Sequence, residues 1–298
     1  MRTTLTALTE ELKRLKAAGV RSVSVSPESV QRLRKAVEQQ RAAVPAPARR
    51  PESVTPAPVN PVSKAEPRKT VQSTLPPPPS FDLPDGDKKT RWETLRKLVI
   101  EDETCRKNVR EGKQVVFGVG NIDATIMFVG EAPGAEEERQ GEPFVGPAGQ
   151  LLTKMIGAMG LAREAVYIGN IMNWRPQMPV GADGEQYGNR PPTPEEMAYC
   201  LPYLEAQIDV VKPQVIVALG ATAAHGLLGH EAFKALGEVR GRWQVFAGRP
   251  LMVTYHPSYI LRNQSNRSKR MIWEDLLKVM EKARLPISDK QRGYFLER

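Results

Sequence analysis

The strongest constraint on this chain is a series of strand-length apolar runs separated by helical stretches in its second two-thirds. KQVVFGVG (113–120), ATIMFVGE (124–131), AVYIGNI (165–171), PQVIVALG (213–220) and PLMVTYHP (250–257) are each nearly unbroken in apolar character. Between and around them stand amphipathic stretches: RWETLRKLVIEDETC (91–105), AGQLLTKMIGAMG (148–160), PTPEEMAYCLPYLEAQIDVV (192–211), ATAAHGLL (221–228) and a closing helix over 269–284. Apolar strands that do not alternate are strands buried on both faces, so the order predicts an α/β domain with a mainly parallel sheet covered by helices on each side. In such sheets ligands sit at the carboxyl ends of the strands.

The first third reads differently. Leucines at 5, 8, 12 and 15, closed by Gly19, predict a helix, and Ser26-Pro27-Glu28 opens a second. Together they make a short helical element over 1–43. Residues 44–87 hold 12 of the 26 prolines and predict an extended linker, because proline fixes φ and removes a hydrogen-bond donor. The domain is expected over 88–285, with a tail over 286–298.

Charge is divided along the same line. Residues 1–90 carry 16 Lys and Arg against 9 Asp and Glu, and residues 91–298 carry 27 against 25, so most of the net +9 lies in the N-terminal part. Residues 262–298 are basic again, 10 against 5. A nucleic-acid partner fits this distribution. No apolar run is long enough for a membrane span, and the N-terminus lacks the apolar core of a secretory signal. Two cysteines exclude a disulfide framework. The expectation is a cytoplasmic, reducing setting, no membrane, and a monomer.

The strand ends carry the chemistry. ATIMFVGE runs into Gly130-Glu131-Ala132-Pro133-Gly134, a tight turn with a carboxylate and exposed backbone N–H groups; Pro133 has none, leaving Ala132 and Gly134 as donors. Phe144 follows in a loop that continues through Gly146. AVYIGNI ends on Asn170, whose amide can read a heterocycle edge with one acceptor and one donor. PLMVTYHP delivers His256, followed by Ser258, Tyr259, Ile260, Leu261 and Arg262, a mixture suited to phosphate contact and insertion into a base stack. Each of these residues alone is an ordinary cap, turn or core residue. Four of them at the ends of one sheet fit a planar base held by stacking and edge hydrogen bonds. Neither GxGxxG nor GxxxxGK[ST] occurs, so the usual nucleotide-phosphate loops are excluded.

VGEAPGAEEERQGEPFVGPAGQLL (129–152), YIGNIMNWRP (167–176), TPEE…C (193–200), VIVALGATA (215–223) and YHPSYILR (255–262) resemble the uracil-DNA glycosylase superfamily, most closely its family 4 type. The resemblance implies a three-layer α/β/α fold around a central, mainly parallel four-stranded sheet. It implies uracil flipped out of DNA and hydrolysis of its N-glycosidic bond. It places the water-loop acid on Glu131, backbone against the base at Ala132, the stacking ring on Phe144, the reading amide on Asn170 and the motif histidine on His256. The DNA-contacting segment falls on Ser258 to Arg262.

Two departures bear on cofactor and DNA contact. Family 4 enzymes bind a [4Fe–4S] cluster through four cysteines; here Trp174 stands at one ligand position, Cys200 matches the last, and Cys105 matches one of the N-terminal pair. Thiolate ligation of such a cluster takes four, so the sequence predicts no cluster and no metal. Asn173 replaces a lysine, which makes Arg175 the expected nearby phosphate contact. The first motif also lacks the histidine-bearing insertion of the relatives that trap uracil covalently. The alternatives left open are a glycosylase of this fold for hypoxanthine or xanthine, and a non-catalytic DNA-binding repair module. The N-terminal arm is expected to meet DNA or a repair or replication protein.

Overall fold

The computed structural model describes residues 75–181 and 184–296. The expected helical element over 1–43, and the Pro-rich stretch up to residue 74, lie outside the described residues. What can be seen of that stretch is laid down on the domain: Leu75, Phe81 and Leu83 pack against the core, with the Phe81 ring stacked on Tyr203 at 5.3 Å.

The chain runs through α1 (Lys88–Glu101), α2 (Glu103–Lys107), β1 (Val119–Gly120), β2 (Ile126–Gly130), α3 (Ala135–Gln140), α4 (Pro147–Ala158), β3 (Tyr167–Asn170), α5 (Pro194–Val211), β4 (Val215–Leu219), α6 (Ala221–Leu228), β5 (Trp243–Phe246), β6 (Arg249–Thr254), α7 (Pro257–Arg262), α8 (Asn266–Lys282) and α9 (Asp289–Arg292). The sheet order is β1-β3-β2-β4-β6-β5. Its four central strands are mutually parallel, and β1 and β5 add antiparallel edges. The sheet therefore has six strands where four were expected. β5 returns as a hairpin with β6, and β1 adds a two-residue edge on β3.

The period of two explains the layers. Along β2, Ile126 and Phe128 enter one core cluster and Met127 and Val129 the other; β4 divides in the same way. One cluster is closed by α1, α5 and α6, the other by α4 and α8. The result is the three-layer α/β/α arrangement. Local rules set the helix limits. Thr193 caps α5 by accepting from the Glu196 N–H at 3.2 Å, Glu196 accepts from the Thr193 N–H at 2.7 Å, and Pro194 follows at the first turn. The helix expected over 91–105 breaks at Asp102, which caps α2 through the Cys105 N–H.

The strand expected over 113–120 is ladder-paired only at Val119 and Gly120; upstream, Val116 N–H bonds the Asn173 carbonyl outside the sheet. The YHPSYILR segment turns helical directly after the strand. His256 accepts from the Ser258 N–H, Pro257 takes the first helical position, and the segment winds into α7. Residues 286–298, expected as a tail, include the turn α9. Trp273 Nε1 donates to the Gln291 carbonyl at 2.6 Å, and Gln291 Nε2 donates to the Ala158 carbonyl at the end of α4 at 2.9 Å.

Candidate active site

Register brings two of the expected site residues together. Gly130 and Asn170 are paired positions at the carboxyl ends of neighbouring strands β2 and β3. The chain leaves β2 for helices on one face and β4 for a helix on the other, so a crevice opens where the two paths diverge. A cavity of about 610 Å³ lies there. Its lining includes Glu131, Ala132, Pro133 and Gly134 from the turn after β2, Phe144 and Gly146 from the loop before α4, Asn170, His256, Ser258, Leu261 and Arg262.

Gly130 lies just beneath the site. A Cβ there would come within 2.4 Å of both Asn170 Oδ1 and the Phe144 ring, so only glycine permits their approach. Asn170 is buried, and its Oδ1 makes no hydrogen bond within the described structure. A buried carbonyl acceptor without a partner is costly unless a ligand supplies the donor. Phe144 adopts φ +56°, an unusual region for a bulky residue. The turn that imposes this depends on Gly149, where a Cβ would fall 1.8 Å from the Phe144 carbonyl oxygen. The Phe144 and His256 rings face each other at 5.7 Å between centroids, tilted by 34°.

His256 follows β6, whose end is fixed from below. Thr254 is fully buried and donates to Asp275 Oδ2 at 2.6 Å, and Arg240 donates to both oxygens of the same carboxylate. His256 Nδ1 accepts from the Ser258 N–H at 3.2 Å and lies 2.9 Å from Ser258 Oγ. With Nδ1 committed as acceptor, the neutral ring carries its proton on Nε2. Burial, aided by the Arg262 charge, lowers the His256 pKa to about 4, so the ring is neutral at pH 7. Burial pushes the Glu131 carboxyl above its ordinary range, opposed by a hydrogen bond to Thr222.

Several residues were not anticipated. Glu137 accepts from the Gly134 N–H at 3.1 Å with one oxygen, and from the N–H groups of Val145 and Gly146 at 3.1 and 2.9 Å with the other. It thus ties the turn after β2 to the Phe144 loop. This also removes Gly134 from the pair of expected backbone donors, leaving Ala132. Gly220, Ala221, Asn189 and Arg190 complete part of the wall. The acidic run AEEERQ directly after the glycine turn was the available signal for Glu137.

Two expected DNA contacts lie elsewhere. Arg175 is buried, with an ion pair to Glu138 at 2.8 Å and further bonds to Asn189 Oδ1 and the Gln186 and Gly188 carbonyls. It braces the loop that carries Asn189 and offers nothing to a phosphate. The Tyr259 ring stacks on Tyr255 at 4.3 Å and lines no part of the cavity. Ile260 turns into the core, which leaves Leu261, 43% exposed, as the apolar side chain at the mouth.

Cys105 and Cys200 are free, fully buried and in contact with each other. Trp174 fills space in the same core cluster, and its Nε1 has no partner among the described residues. No group of three or more His, Cys, Asp or Glu able to hold a metal occurs among the described residues. Two thiols do not supply the four thiolates of a [4Fe–4S] centre.

The chain matches the Uracil DNA glycosylase superfamily over residues 117–277. It is 46% identical over 167 residues to the Type-4 uracil-DNA glycosylase of Thermotoga maritima, covering 55% of this chain and 80% of the relative. The Type-4 enzyme of Archaeoglobus fulgidus is 42% identical over 181 residues, covering 57% and 84%. A Type-5 enzyme of Pyrobaculum aerophilum is 28% identical over 179 residues, covering 55% and 73%. These relatives correct the expectation of a cofactor-free chain. Their names place the chain beside the Type-4 group, whose resemblance implied a [4Fe–4S] cluster, so freedom from a cofactor is not established for this chain, and the two thiols present do not by themselves match a four-thiolate set. With the match spanning more than half of its length, the chain belongs to the uracil DNA glycosylase superfamily.

Proposed function

We propose that this uracil-DNA glycosylase reads its base with Asn170 and drives departure of the base with neutral His256. The observation that carries the reading is the buried, unpartnered Asn170 Oδ1 beside Phe144. Uracil supplies what this acceptor lacks: N3–H donates to Oδ1, while the amide nitrogen donates to O4. Cytosine presents a bare N3 and an amino group, which leaves both ends of the amide mismatched.

A base within a duplex is out of reach and must be flipped, at a cost of a few kcal/mol. Leu261 wedges into the gap, Ser258 and Arg262 hold flanking phosphates, and Phe144 stacks the extruded ring. As the glycosidic bond breaks, negative charge gathers on the base. The His256 Nε2–H donates to O2, and the Ala132 N–H adds a second donor. A neutral donor suits this step, because its proton is already placed by the Ser258 N–H on Nδ1. Glu131, ionised, orients the attacking water and balances positive charge on the sugar. Its desolvated position supports that role, since the developing cation restores the partner that burial removed.

The substrate is uracil-containing DNA, and the protein acts as a monomer. Residues 1–74 serve as an accessory segment for DNA or a repair protein, a role supported by their basic excess. The two free buried cysteines suit a reducing, cytoplasmic setting. Among the described residues, no helix is long and apolar enough to cross a membrane. The test is incubation with oligonucleotides holding one uracil, hypoxanthine or xanthine, followed by alkaline cleavage. Cleavage at uracil alone is expected; cleavage at hypoxanthine or xanthine without uracil overturns the assignment of Asn170. Removing residues 1–74 leaves uracil release intact and weakens binding at moderate salt. An unchanged salt dependence would assign the segment to protein partners.

A further inference from the structure

A second recess, of about 510 Å³, lies beside Gly141 in the chain leading to Phe144. Its charged lining is Arg96, Arg106, Arg110 and Lys113 against Glu111 and Glu142. Lys113 is answered by Glu185 at 3.4 Å. Arg110 is not answered: Nη1 and Nη2 are both shielded from water and neither has a hydrogen-bond partner among the described residues. The contrast with Arg175 is direct, since that buried guanidinium has a carboxylate, an amide oxygen and two carbonyls around it. A desolvated guanidinium without an acceptor is unfavourable unless an anion completes it.

We propose that this recess binds a phosphate group, with Arg110 as the inner contact and the exposed Arg96 and Arg106 at the mouth. Phosphate matches the planar, multidentate donors of clustered arginines, and the excess of cations over acids in the lining favours an anion of more than one charge. The phosphate belongs either to a DNA strand passing the site or to a free phosphate compound. The proposal does not depend on how Asn170 reads a base.

The experiment uses the full chain and three proteins: wild type, Arg110→Met and Arg106→Gln. Melting is followed in chloride and in inorganic phosphate at equal ionic strength, and binding to a long undamaged duplex is followed across salt concentration. Wild type should melt at a temperature that rises saturably with phosphate. Arg110→Met should start higher in chloride, because an unpaired buried charge is gone, and should not respond to phosphate. If the phosphate is a DNA phosphodiester, each variant also lowers the slope of log Kd against log salt by about 0.9. If it is a free compound, that slope stays unchanged and only the phosphate response is lost. Arg106→Gln, an exposed change, reads both quantities without disturbing packing. The proposal is overturned if wild type melts identically in both anions and the slope is the same in all three proteins. Failure of the glycosylase assignment would appear separately, as wild type releasing no uracil.

Discussion

The floor and the rim of the cavity are held in different ways. At the floor, Asn170 ends a strand in register with Gly130, and Phe144 sits in a turn fixed by Gly149 and by two N–H bonds to Glu137, which a third bond ties to Gly134 in the turn after β2. At the rim, Leu261 and Arg262 project from the single short helix α7, and Leu261 has no such lattice about it. Base choice needs groups that stay put, since a mismatched hydrogen bond discriminates only if the site cannot adjust. Grip on DNA tolerates more freedom, because phosphates and an unstacked gap are broad targets. The floor should therefore govern which base leaves, and the rim how well DNA is held.

The sharpest way to break this division is Asn170→Asp. Preference for uracil over cytosine should fall by roughly 10³-fold or more, measured as release of each base under single turnover. An unchanged preference would remove base choice from the floor. His256→Ala should slow release by roughly 10²-fold while leaving the Kd for DNA nearly unaltered. The pH dependence refines this. With a folded pKa of about 4, His256 stays neutral as the pH falls through 6 and 5. Glu131, whose pKa is raised, takes up its proton first. The acid limb of the wild-type rate should thus belong to Glu131, and the residual rate of Glu131→Gln should be flat where wild type declines.

Glu137→Gln probes the lattice that ties the two turns together. Loss of a charged acceptor for three N–H groups should cost about 2 kcal/mol of stability and lower kcat about tenfold more than it raises KM. A change confined to KM would mean that the tie is not what fixes Phe144. Leu261→Ala, at the rim, should be mildest: a rise in KM of a few-fold on duplex DNA, and none on single strands, where no gap needs filling.

Much of the floor was legible because its determinants are local. An unbroken apolar strand followed by glycine, asparagine or histidine announces both the sheet and the strand end, and β2, β3, β4 and β6 fell where such runs stood. β5 escaped because Trp243 and Val245 are exposed on an edge, giving WQVF none of that character. The opposite error occurred at KQVVF, where apolar residues pack without joining the ladder. Arg175 shows what charge alone conceals: one letter serves equally for a phosphate contact and for a buried brace, and only Glu138 beside it decides. Glu137 and Thr222 act through backbone groups and across elements, which spacing along a single chain does not encode.

The contact between Gln291 and the Ala158 carbonyl makes α4 a beam supported at both ends, by the last described helix at one and by Glu137 beneath Gly146 at the other. Cutting the protein before Ser288 would release the far support and transmit slack along three turns to the Phe144 ring.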